Sequence, residues 1–109
     1  MRRVLVIRSN QLLAVGVESL ILQKNNMIVM SAAFDDVQAI RTEIESFHPD
    51  VLILDDSLKI LDLPALFGLI KEFANLRVVV VNVEANELHV YERQVVSVKP
   101  SNEFIAVIQ

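Results

Sequence analysis

Six polar or charged residues, Arg8, Ser9, Asp55, Asp56, Asn82 and Lys99, stand at or just after the ends of short apolar runs in this 109-residue chain. Where such runs form parallel strands, the crevice at their carboxyl ends is where α/β sheets hold ligands. Two carboxylates, a guanidinium and an ammonium gathered there can form ion pairs, or a cation site if both acids converge. Consecutive strand residues point to opposite faces, so Asp55 and Asp56 converge only if the strand has already ended. Asp56 therefore reads first as a solvated loop residue or helix-entry acid. Taken singly, each of the six is also what an ordinary loop after a strand carries.

Other chemistries are poorly supplied. His48 and His89 stand alone, with no His or Cys at ligand spacing, and the chain has no cysteine for a thiolate nucleophile, metal site or disulfide. Ser9, Ser57 and Ser97 lack a nucleophile-elbow motif and a histidine partner, which argues against a hydrolase. With Gly16 and Gly68 as the only glycines, no phosphate-cradling loop can be assembled. The residues thus point away from an enzyme, and neither a metal nor another cofactor is expected.

The formal charge of -4 opposes non-specific attraction to nucleic acid, so direct nucleic-acid contact by this segment is not expected. Hydrophobic residues make up 53% of the chain and mean hydropathy is +0.46, as expected of strands buried on both faces. Apolar runs such as Val51–Leu54 and Val78–Val81 are far shorter than the roughly 20 residues of a membrane-spanning helix. The basic-then-apolar start stops at Arg8 without a cleavage site, and it reads as a strand, compatible with a cytoplasmic location.

These residues must be positioned by alternating strands and helices. Arg3–Arg8 reads as a strand, and Leu13, Val17, Leu20 and Ile21 give helical spacing over Asn10–Lys24. Met27–Ala33 is a second strand, followed by a helix capped by Asp35 or Asp36 with Val37, Ile40, Ile44 and Phe47 on one face. After Pro49, Asp50–Asp55 is a third strand. The next helix carries Leu63, Leu66, Phe67, Ile70 and Phe73, with Pro64 in its first turn. Leu76–Val81 is a fourth strand and Val95–Val98 a fifth, with one short helix expected around Glu84–Glu92. Tyr91 reads as a half-buried tyrosine against the sheet. A last helix begins near Ser101 and buries Phe104, Ile105 and Ile108; Gln109 cuts it short, so the natural protein is expected to continue. The alternation predicts one domain over residues 1–109, a doubly wound, flavodoxin-like three-layer sandwich with a five-stranded, mostly parallel sheet.

Three segments carry a family resemblance. Pro49-Asp50-Val51-Leu52-Ile53-Leu54-Asp55 resembles the phosphoacceptor strand of response-regulator receiver domains, with Asp55 at the phosphoacceptor position. Val98-Lys99-Pro100 resembles the Lys-Pro pair closing the family's fifth strand. The stretch from Ile7 to Val17 is similar to the first-strand exit and helix of regulators with a LuxR-type DNA-binding domain. The similarity covers nearly the whole chain and implies a two-component signalling domain.

The departures from the family pattern lie in its pocket. Where the family has two metal-binding acids, this chain has Arg8 and Ser9, and a guanidinium is electrostatically wrong beside magnesium. Asn82 replaces a hydroxyl residue, and Val96 replaces the aromatic switch, whose rotamer swing a valine cannot reproduce. The Met-Pro pair often found after the phosphoacceptor is replaced by Leu58-Lys59, and the interval from Asn82 to Lys99 is shorter than usual by about one helical turn. The remaining set places Asp55 between the cations Arg8 and Lys99. At about 4 Å and an effective dielectric near 20, such a pair attracts by about 4 kcal/mol before desolvation.

The resulting expectation is a phosphorylation-independent receiver-like domain that dimerises or binds a protein partner and regulates a fused transcriptional effector, with Arg8 standing in for the metal. Two alternatives stay open. One is a conventional receiver phosphorylated at Asp55 with Mg²⁺; the other is a small flavodoxin-like enzyme or nucleotide binder.

Overall fold

The computed structural model of the chain describes residues 2–9, Gly16, Ile21, 26–57, 61–93 and 96–109. The elements are β1 (Arg2–Ile7), β2 (Met27–Ala32), α1 (Val37–Phe47), β3 (Val51–Asp55), α2 (Leu63–Glu72), β4 (Arg77–Asn82), β5 (Glu87–Tyr91), β6 (Val96–Pro100), a 3-10 turn (Ser101–Glu103) and α3 (Phe104–Ile108). Apart from Gly16 and Ile21, the helix expected over Asn10–Lys24 lies outside the described residues, as do the pair Leu58-Lys59 and the first residue of the last expected strand, Val95.

The architecture is α/β, with a six-stranded mixed sheet in the order β2-β1-β3-β4-β5-β6. From β2 to β4 every neighbour is parallel. β5 then runs antiparallel to β4, and β6 antiparallel to β5. The chain reverses between β1 and β3, so a topological switch point opens beyond Ile7 and Asp55.

The expected five-stranded, mostly parallel sheet is therefore corrected to six strands, because a hairpin takes the place of the expected Glu84–Glu92 helix. Leu88 and Val90 are buried while His89 and Tyr91 face the other side, a period of two that fits a strand. A four-residue loop, Val83–Asn86, reverses the chain. Asn82 Oδ1 accepts the Ala85 amide at 2.9 Å, and Asn86 takes a left-handed φ of 57°, a conformation that asparagine tolerates better than most residues.

Alternation along the central strands feeds two cores. Val4, Val6, Val51, Ile53 and Val79 pack on one face with Ile21, Phe104 and Ile108. Leu5, Ile7, Leu52, Leu54 and Val78 pack on the other with Ile40 and Ile44 of α1 and Leu66, Leu69 and Ile70 of α2. All five residues of β3 are buried, as a strand covered on both sides requires.

Both long helices start at an aspartate: Asp36 accepts the Ala39 amide at 2.8 Å and Asp62 the Ala65 amide at 2.9 Å, satisfying donors that the helix cannot. Pro64 lies in the first turn of α2. α1 ends on His48, at a left-handed φ of 53°, just before Pro49. In α2, Leu63 and Phe67, two of the apolar residues that mark this helix, are 53% and 47% exposed. At 3.6 residues per turn Phe67 is rotated by roughly a third of a turn from the centre of the Leu66–Leu69–Ile70 face, and Leu63 flanks it.

Candidate functional site

Asp55, at the end of β3, is the one buried charged or polar residue among the described residues, with 1% exposure. Its side chain follows Val51 and Ile53 onto the face that carries Phe104 and Ile108, and it sits at the switch point beside the exit of β1. The Ser9 hydroxyl donates to Oδ2 across that gap. On the other oxygen, Oδ1 accepts the Ser57 amide at 2.7 Å and the Ser57 hydroxyl. The Asp55-to-Ser57 bond is an Asx turn, in which a short acidic side chain holds its own backbone two residues on. A buried carboxylate is tolerable when its oxygens are hydrogen-bonded, and both oxygens here are.

Neither expected cation reaches this carboxylate. The Arg8 amide donates to the Ala32 carbonyl at 2.8 Å, holding the residue alongside β2. Its exposed guanidinium donates to Ser31, at 3.1 Å to the carbonyl and 3.4 Å to the hydroxyl. Lys99 shares a row of the sheet with Asp55, through Val81 and Leu88. Three strand spacings of about 4.8 Å then separate them by about 14 Å. The hairpin is the cause: β5 wedges between β4 and the strand carrying Lys99. The expected ion-pair set of Arg8, Asp55 and Lys99 is not formed.

The other candidates are dispersed. Asp56 is exposed, and its amide donates to the Val81 carbonyl at 3.2 Å. Asn82 is occupied in the hairpin loop. Val96 pairs with Tyr91 on the terminal strand and is 53% exposed, remote from the Asp55 crevice. Asp56 and Asn82 do meet, with Asp55, at an open pocket of about 260 Å³ that has His89 and Tyr91 on its β5 wall and Leu61 and Leu66 beneath.

Magnesium, which a receiver resemblance implies, is not matched by these residues. The ion wants near-octahedral oxygen donors with one or two carboxylates, whereas both Asp55 oxygens already accept protein hydrogen bonds and Asp56 lies outside the strand. Among the described residues no group of three His, Cys, Asp or Glu side chains is placed to hold a metal ion.

Ser57 is the site residue that sequence reasoning missed, having been weighed only as a nucleophile. The legible signal was an aspartate two residues before a serine at a strand end, an Asx-turn pattern. The base of the sheet holds a second polar cluster, also unforeseen: Arg77 pairs with Glu92 at 2.7 Å and donates to the Val107 carbonyl, tying β4 to the hairpin end and to α3. No helix among the described residues is long and apolar enough to cross a membrane. Compared with family models, curated proteins and solved structures, the chain matches none of them.

Proposed function

We propose that this chain is a receiver-like domain of the flavodoxin-like class that works without phosphorylation, as an interaction module in a cytoplasmic signalling or transcription-regulating protein. The observation that carries the reading is Asp55: an aspartate at the phosphoacceptor position, buried, with both oxygens engaged by Ser9 and Ser57. In this role the carboxylate ties the exit loops of β1 and β3 together. Phosphoryl transfer to it would require an exposed oxygen and a bound cation, and its surroundings supply hydroxyl donors instead. The β2-β1-β3-β4 order, with its switch point at Asp55, supports the receiver-like half of the proposal. The departures at Arg8 and Ser9, together with Val96 exposed on the terminal strand away from Asp55, support the phosphorylation-independent half.

The test is incubation with acetyl phosphate and a Mg²⁺ titration, read by intact-protein mass. The expected result is an unchanged mass at every magnesium concentration. A phosphoryl adduct that disappears in Asp55→Asn would establish the conventional-receiver alternative instead.

A further inference from the structure

Among the described residues, β6 closes the sheet and is paired on one side alone, with β5. The Ser101 amide donates to the Asn86 carbonyl at 3.1 Å. Antiparallel ladders alternate, so stepping back by twos turns the main-chain groups of Lys99 and Ser97 towards β5 and those of Val96, Val98 and Pro100 towards the open edge. Pro100 has no N–H. The edge therefore offers complete donor and acceptor sets at Val96 and Val98. The side chains of these two residues are 53% and 49% exposed. They lie on the face of Tyr91 and His89, where Tyr91 meets the exposed Phe67 ring edge-on with centroids 5.9 Å apart.

The geometry points to a second copy of this chain as the occupant, its β6 antiparallel to the first about a two-fold axis at Ser97. This rests on the reading of the domain as an interaction module and names its partner. The Val96-Ser97-Val98 segment is palindromic, so the axis sets Val96 against Val98 of the second copy and Val98 against its Val96. Each pair exchanges two main-chain hydrogen bonds, using every open group at these positions and asking nothing of Pro100. An axis at Val98 would instead oppose Val96 with Pro100, which lacks the donor.

Charge favours the same axis. With the two-fold at Ser97 the two Lys99 residues lie about four residue steps, or about 14 Å, apart along the strands, beyond the roughly 8 Å screening length at physiological salt. About Val98 they would be half as far apart. Lys99 and Pro100 blunt one end of the edge, as edge strands exposed to open-ended addition commonly are. A two-fold pairing closes on itself and leaves no further β6 edge to extend. The exposed valines of the two copies then form one apolar stripe beside Phe67 and Tyr91.

Sedimentation equilibrium of the full chain from about 1 μM to 1 mM covers the range in which small interfaces associate. It should show a dimer that Val98→Pro, which removes an edge donor, weakens by at least about ten-fold. Since the chain has no cysteine, Ser97→Cys gives an unambiguous cross-link. The axis brings the two Ser97 Cα atoms to about 4.5 Å, within disulfide range. Oxidation should therefore join Ser97→Cys into a covalent dimer at least about ten-fold faster than Arg41→Cys on α1. A chain that stays monomeric throughout overturns the inference. So does a dimer that persists in Val98→Pro while Ser97→Cys cross-links no faster than the control. Should Val98→Pro fail to fold by circular dichroism, the cross-linking comparison decides alone. Phosphate uptake at Asp55 is scored separately: it removes the phosphorylation-independent reading whatever β6 does, and a monomer that takes no phosphate removes the β6 interface alone.

Discussion

Replacing Asp55 tests whether a buried carboxylate holds the switch point together. Asp55→Ala removes the acceptor for the Ser9 hydroxyl, the Ser57 amide and the Ser57 hydroxyl. Hydrogen bonds to a charged acceptor contribute about 1.5–3 kcal/mol each. Two terms reduce the sum. Desolvation of the carboxylate is relieved, and Ser57 is exposed and Ser9 half-buried, so water can replace part of what is lost. The expected net loss is about 2–4 kcal/mol, within the range of a broken buried polar network. Asp55→Asn keeps an oxygen for Ser57 and presents an amide donor to the Ser9 oxygen, so its loss should be about 1 kcal/mol from the missing charge assistance.

Urea unfolding followed by circular dichroism measures both variants, and thermal melts should show a drop of roughly 4 °C for each kcal/mol in a domain of this size. Arg8→Ala provides the contrast: its exposed guanidinium bonds Ser31, and the change should cost less than about 0.5 kcal/mol. The role of Asp55 as a tie is refuted if Asp55→Ala is neutral or stabilising, for relief of desolvation would then outweigh the lost hydrogen bonds. It is equally refuted if Arg8→Ala costs as much as Asp55→Ala, which would restore the ion pair.

Two further substitutions probe the frame around the site. His48→Gly should stabilise the protein by about 0.5–1 kcal/mol in urea melts, because exposed His48 caps α1 at φ 53°, which glycine adopts without strain; a loss would mean that the imidazole makes a contact of its own. Arg77→Ala should cost about 1–2 kcal/mol, by removing both the Glu92 pair and the donation to the Val107 carbonyl. Glu92→Gln should cost less than half of that in the same assay, since Arg77 keeps its hold on α3.

Much of the fold is local, and those parts were legible. Asp36 stands where an N-cap belongs, Pro49 and Pro64 punctuate the helices, and short apolar runs mark β1 to β4. The same runs brought Asp55 to a strand end. The hairpin was not legible, because Leu88 and Val90 in a short segment suit a strand or a helix equally well. The open edge of β4 settled the matter by offering β5 a ladder to join. The exposure of Leu63 and Phe67 was not legible for a related reason: an apolar residue in a helix reveals its type, but the tilt and position of the helix on the sheet decide which stripe is covered.

That Asp55 ends a buried strand, and that an arginine and a serine stand at the first-strand exit, can be read from local sequence. Which of those two residues meets the carboxylate was decided by tertiary structure alone. Ser9 and Asp55 are 46 residues apart and touch because β1 and β3 are adjacent and parallel. Arg8 turns away because its amide and its guanidinium are both taken up along β2. Lys99 is out of reach because β5 lies between its strand and β4. Local sequence sets what a residue can bond. Long-range strand order sets what is within a few ångströms of it, and hydrogen bonds and ion pairs act over no more than that.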